Sequence, residues 1–176
     1  FPAAPNDAFA GYKGLLELGY APEKIILCGE SAGATLVLDI PLMAKTAGIP
    51  NPAAVIAMSP VTDAIAVEEG TVLEGLDSSD QVLEVYAPGH DKADPLISPA
   101  LGDLTGFPPT FLSVGGTEIL LKDSLTFARN AAKAGCDVRL HVGKDMIHTY
   151  PLDLWDYPEA MTAFEEMELF LRQILR

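Results

Sequence analysis

The sequence predicts an α/β domain in which a parallel sheet is covered by helices on both faces. Three observations predict it. Short apolar runs at 25–28, 54–58 and 110–114 alternate with longer stretches of helical periodicity. Proline marks the end of one run at Ser59-Pro60 and the approach to another at Pro108-Pro109. With 176 residues, 49% of them hydrophobic, the chain is long enough for one sizeable core, and nothing in it suggests a second.

Asn6 or Asp7 is placed to cap a first helix, whose apolar residues Ala8, Tyr12, Leu15 and Leu16 recur at helical spacing and which Gly19 stops. The run at 25–28 is too brief for a helix, so it predicts a strand buried on both faces, with Cys28 as a small buried hydrophobe. A helix over 31–46 should follow, and Pro41 inside it predicts a kink or an early break. Two more parallel strands are expected at 54–58 and 110–114. Between them lie one helix, over 79–86, and a long Pro- and Gly-rich stretch of the kind that usually carries function.

Leu121, Leu125, Ala128 and Ala132 mark a helix ended by Gly135. Val138, Leu140 and Val142 then alternate with Asp137, Arg139 and His141 as in a strand. The last helix starts near Pro158, with Met161, Phe164, Met167, Leu171 and Ile174 on one face. Four strands make a thin sheet, which predicts further strands upstream.

Composition excludes several functions. The 25 acidic residues against 11 basic ones give a net charge of −14, which repels phosphate backbones, so no nucleic-acid partner is expected. The acids are scattered over expected surfaces, as at Asp77, Asp80 and Glu84 or Glu159, Glu165 and Glu166, and read as solvation. No apolar run approaches 18 residues, so no membrane span is expected. Cys28 and Cys136 form neither a disulfide framework nor a metal-ligand spacing, and the five methionines read as core or helix-face residues. No metal or organic cofactor is implied. The low cysteine count points to the cytoplasm. The chain opens on Phe1 rather than Met, so its natural N-terminus is expected upstream.

Chemistry enters at Gly29-Glu30-Ser31-Ala32-Gly33, a G-x-S-x-G pattern set directly after an apolar strand and before a helix. That placement is what the pattern requires. Its glycines free space in a sharp strand-to-helix turn, which holds the serine hydroxyl above the sheet, and the N–H of Ala32 would face an oxyanion at the helix N-terminus. The alternative is a tight glycine turn with an idle serine.

A serine hydroxyl needs a base, and the base needs an orienting acid, in the chain order Ser, acid, His for this arrangement. His141 sits inside the alternating strand and reads as a sheet-face residue. His148 lies in the loop just past that strand and is the candidate base. Glu118, Asp123, Asp145 and Asp94 are all candidate acids by spacing. Glu118 follows the strand end at Val114-Gly115-Gly116-Thr117 directly, whereas Asp123 is placed to cap the next helix. His90 and Asp94, in the long loop, read either as a wall over an acyl pocket or as shapers of the turns at Asp94-Pro95 and Ser98-Pro99.

An ordered set of segments resembles the bacterial hormone-sensitive-lipase family of esterases, within the α/β-hydrolase superfamily. They are Phe1-Pro2-Ala3-Ala4 with Asp7 and Tyr12, Gly29 to Gly33, Asp94-Pro95-Leu96-Ile97-Ser98-Pro99, Phe107-Pro108-Pro109, Gly116-Thr117-Glu118 with Leu121, and Met146-Ile147-His148. The resemblance implies Ser31 as nucleophile, His148 as general base and acid, Glu118 as triad carboxylate and Ala32 as an oxyanion donor. The family usually has Asp where Glu118 stands, so either a shifted loop or rotamer accommodates the longer acid or a neighbour such as Asp123 takes the role. It also commonly has Asp where Glu30 stands.

The family's upstream His-Gly-Gly-type loop, which completes the oxyanion hole, has no counterpart in the sequence. Residues 1–176 therefore read as the C-terminal portion of a single α/β-hydrolase catalytic domain, with N-terminal strands and cap missing. An upstream segment is expected to complete the site, and the 176-residue chain alone is expected to be inactive.

The resemblance implies a serine carboxylesterase acting on small-molecule esters with short- to medium-chain acyl or acetyl groups. A peptidase or lactonase with the same triad, or a ligand-binding protein that lost turnover, shares the scaffold. A homodimer is compatible with either.

Overall fold

The computed structural model describes residues 1–65 and 79–175, and the side chains of 79–82 are not described. Asp77 lies outside the described residues, as does the side chain of Asp80. The chain runs α1 (Ala3–Glu17), β1 (Ile26–Glu30), α2 (Ser31–Ala47), β2 (Ala54–Met58), α3 (Ser79–Tyr86), β3 (Thr110–Gly115), α4 (Leu121–Lys133), β4 (Val138–Gly143), α5 (Tyr150–Asp153) and α6 (Pro158–Ile174). Single 3₁₀ turns occupy Pro22–Lys24 and Pro99–Leu101.

Among the described residues four strands form one sheet in the order β1-β2-β3-β4, and every pairing is parallel, as the alternation of elements predicts. Side chains alternate across β2, so Val55 and Ala57 join one core and Ala54, Ile56 and Met58 the other. The first core packs α2 and α4 on the sheet through Leu38, Phe127 and Ala131. The second packs α6 on the opposite face through Ala163, Met167 and Phe170. Helix α1 leans on α2 through Phe9, Tyr12, Ile40 and Ala44.

Several local expectations are corrected. Helix α1 begins at Ala3, before Asn6 and Asp7, and neither caps it. Its end is as expected: Gly19 takes φ +89°, the Gly19 N–H bonds the Leu16 carbonyl and the Tyr20 N–H bonds the Leu15 carbonyl. Pro41 does not end α2, which continues to Ala47 because Leu38, Ile40, Leu42 and Ala44 are buried on both sides of it. Tertiary packing outweighs the one backbone bond that proline removes.

Strand β1 is not buried on both faces. It pairs with β2 alone among the described residues, and Cys28 and Glu30 are exposed. The residue type of an apolar run does not reveal whether its strand is central or at the edge.

In three helices the buried stripe is rotated from the expected one, each time toward an aromatic ring. Phe9 is buried in α1 while Leu15 is exposed; Phe127 is buried in α4 while Leu125 is exposed; Phe170 is buried in α6 while Met161 and Phe164 are exposed. No helix among the described residues is long and apolar enough to cross a membrane.

Candidate active site

Ser31 stands at the junction of β1 and α2 with φ +50°, a left-handed conformation that costs a non-glycine residue energy and throws its side chain out of the turn. A Cβ on Gly29 would collide with the Gly33 carbonyl, so that position requires glycine. Gly33 does not: a Cβ there meets nothing within 4 Å. Of the two pattern glycines, only the first is demanded by sterics among the described residues. Ala32 is exposed, and as the second residue of α2 its N–H is among the first four, which have no acceptor inside the helix.

The base arrives from the far side of the sheet. Strand β4 ends at Gly143, and the loop after it is tied to the end of β3, because the Met146 carbonyl accepts the Thr117 hydroxyl at 2.7 Å and the Thr117 N–H at 3.1 Å. Gly115 lets the two segments close, since a Cβ on it would strike the Met146 and Ile147 carbonyls. This loop carries His148, with Nε2 3.0 Å from Ser31 Oγ. Its Nδ1 lies 3.3 Å from Glu118 Oε1.

Glu118 is almost fully enclosed, with 2% of its side chain exposed, against 30% for His148. The longer acid is accommodated by folding back on its own strand. Its Oε2 accepts the Gly115 N–H at 3.0 Å and the Ser59 hydroxyl at 2.8 Å, leaving Oε1 toward the imidazole. The hydrogen bond to Glu118 raises the His148 pKa above its ordinary value, against burial, which lowers it; the charges of Glu118, Glu30 and Asp153 add to the rise. Such a chain of contacts can draw a proton from the serine hydroxyl and hold the resulting imidazolium.

The other candidate acids are placed elsewhere. Asp123 is buried, and its Oδ1 accepts the N–H groups of Thr62 and Asp63 at 2.8 Å each. It sits in the first turn of α4 and caps the 62–63 segment rather than its own helix. Asp94 Oδ1 accepts the Leu96 N–H at 2.9 Å, a turn-shaping contact. Asp145 takes φ +58° in the loop before His148. His141 Nδ1 lies 2.9 Å from Glu166 Oε2 on α6, the sheet-face position expected of it. His90 stacks edge-on against Phe1 at 4.9 Å.

A cavity of about 160 Å³ opens beside Ala32, lined by Ala32, Thr35 and Leu36 of α2, Val61, Leu83 and Tyr86 of α3, and Ile97, with Ala4. His90 and Asp94 are not among these residues. Two buried polar residues stand outside the sequence-based expectations, and one of them, Ser59, touches the site. Ser59 was visible only as the close of a strand, although a serine at the end of the strand next to the acid-bearing one is a usable signal. Asp39, in the middle of α2, is fully buried with neither carboxylate oxygen bonded among the described residues, and burial, followed by the charge of Asp94, pushes its pKa up to about 9.

Comparison with known proteins agrees with this fold. A family model described as alpha/beta hydrolase fold matches residues 1–152. An acetyl-hydrolase of Streptomyces hygroscopicus is 38% identical, over 98% of this chain and 60% of its own length. Among solved structures, an esterase/lipase from an uncultured bacterium superposes with a TM-score of 0.90 at 31% identity, over 99% of this chain and 61% of its own. A hormone-sensitive lipase from a metagenome library gives 0.86 at 33%, over 98% and 62%. The chain thus spans about half to three fifths of the length of the curated relatives it matches. It belongs to the alpha/beta hydrolase fold family, on the branch of the bacterial hormone-sensitive-lipase esterases.

Proposed function

We propose that this chain carries the nucleophile, base and acid of a serine carboxylesterase. The observation that carries the reading is the contact series Ser31 Oγ to His148 Nε2 at 3.0 Å and His148 Nδ1 to Glu118 Oε1 at 3.3 Å. Ser31 Oγ attacks the ester carbonyl carbon as His148 Nε2 takes its proton, and Glu118 faces the imidazolium that forms. The tetrahedral oxyanion is received by the Ala32 N–H at the N-terminus of α2. Collapse breaks the ester C–O bond, and His148 returns the proton to the departing alcohol. Water then attacks the acyl-enzyme by the same route and releases the carboxylic acid and free Ser31.

The apolar cavity beside Ala32 takes the acyl group. A cavity of about 150 Å³ lined by apolar side chains holds a benzene-sized molecule, so short to medium acyl chains fit, acetyl among them. The name of the Streptomyces relative, an acetyl-hydrolase, supports the small end of that range. An upstream segment supplies the remaining oxyanion donors, a reading supported by the longer relatives and by the unpaired outer edge of β1 among the described residues.

The test is hydrolysis of p-nitrophenyl esters from acetate upward by the full-length protein beside its Ser31→Ala variant. Turnover should be highest for the short chains and be lost in the variant. An active variant would place the nucleophile elsewhere.

A further inference from the structure

We infer that Ser59 is a positioning residue for the acid and the base, resting on the reading of Glu118 as the triad carboxylate. Ser59 follows β2 at once and is fully buried. Its hydroxyl does two things. It donates to Glu118 Oε2 at 2.8 Å and accepts the Thr149 N–H at 3.1 Å. One oxygen therefore joins the acid on the β3 loop to the residue next to His148 on the β4 loop, two segments that lie thirty residues apart.

The backbone is bent to place it there. Ser59 takes φ +52° and Thr149 also takes φ +52°, conformations that neither residue adopts without cost. The strain at Ser59 is held in part by its N–H, which bonds the Ser113 carbonyl at 2.7 Å and so extends the β2–β3 ladder by one residue. With Gly115 N–H and Ser59 Oγ both on Oε2, rotation of the Glu118 carboxylate is blocked and Oε1 stays toward Nδ1. A glutamate has one more rotatable bond than an aspartate, so this clamp does more here than it would for the shorter acid.

The effect is on turnover, because Ser59 is fully buried and does not line the cavity beside Ala32. Loss of a buried hydrogen bond to a charged group predicts a fall in kcat of about tenfold to a hundredfold with KM unchanged. The midpoint of the pH–rate profile should also move down, since a loosened Glu118 raises His148 less.

The experiment uses the full-length protein and p-nitrophenyl butyrate, with Ser59→Ala and Ser59→Gly each made in the native and the Glu118→Ala backgrounds. Glycine relieves the positive φ, so Ser59→Gly folds even where Ser59→Ala does not. Both single variants should lose kcat and shift the pH midpoint down, and in the Glu118→Ala background the same changes should cost less than about twofold. Equal losses in both backgrounds, or a Ser59→Gly variant as active as the native protein, would overturn the proposal. Full activity of Glu118→Ala alone would remove the acid reading itself and the role of Ser59 with it.

Discussion

His148 Nε2 stands 3.0 Å from Ser31 Oγ across 117 residues of sequence, and both side chains are carried by segments held in left-handed backbone conformations, at Ser31 itself and at Thr149. Strain of this kind is kept only where the surrounding structure fixes it, and here the strand ends of the sheet do so. Three of the four strands deliver a group to the same point: β1 leads into Ser31, β3 into Glu118 and β4 into His148.

The first prediction concerns pH. In the proposed mechanism turnover needs neutral His148, whose pKa is raised chiefly by its hydrogen bond to Glu118, so the rate should rise with pH through a midpoint above the ordinary histidine value of about 6.5. Glu118→Gln should cut kcat by about a thousandfold or more and bring the residual midpoint down. A midpoint unmoved by the substitution would show that Glu118 does not govern the base.

Asp123 should behave in the opposite way. Removing its carboxylate in Asp123→Ala leaves the buried Thr62 and Asp63 N–H groups without acceptors, at a cost of about 2–4 kcal/mol in urea unfolding. Activity per folded molecule should stay within a fewfold of native. Loss of turnover without loss of stability would make Asp123 the acid.

Asp39 makes a third case, read through stability. Its folded pKa, pushed up to about 9, lies above the ordinary aspartate value of 3.8, so between those limits the native chain keeps a proton that the unfolded chain has lost. Stability therefore falls as pH rises across that window, by about 1.4 kcal/mol per unit from this group, and levels off above it. Asp39→Asn should be more stable than native, with an advantage that grows by about 3 kcal/mol from pH 6 to pH 8 in urea unfolding. Parallel curves for the two proteins would show that Asp39 does not hold a proton in the folded state.

The sequence foretold the strands' positions along the chain and their parallel sense better than it foretold their surroundings. Apolar runs mark β2 and β3 because both faces of those strands are buried, but the same pattern at Ile25, Ile26 and Leu27 belongs to a strand that pairs on one side only among the described residues, with Cys28 exposed. Helix positions were legible and helix rotation was not, since Ala8 beside Phe9 or Ala128 beside Phe127 offers two overlapping stripes that only packing separates.

In the site, Ser31 was readable because its turn has a steric signature in Gly29, and His148 because loops past strand ends carry chemistry. Glu118 and Asp123 could not be separated by spacing, as they sit within about one helical turn of each other. What divides them is direction: one folds back over β3 toward His148, the other toward the N–H groups at 62–63. Ser59 left no signal in periodicity, because its contacts are made across the loops, and Asp39 left none, because what sets it apart is burial without a bonded partner among the described residues.

The most direct test of a Ser31-based esterase is the site of covalent capture. The full-length protein is treated with a fluorophosphonate, which reacts with an activated serine hydroxyl, and the adduct is located by peptide mass spectrometry. The account predicts one adduct per molecule on Ser31, with labelling slowed strongly in His148→Ala. An adduct on another serine, or labelling of Ser31 at the native rate without His148, would contradict it.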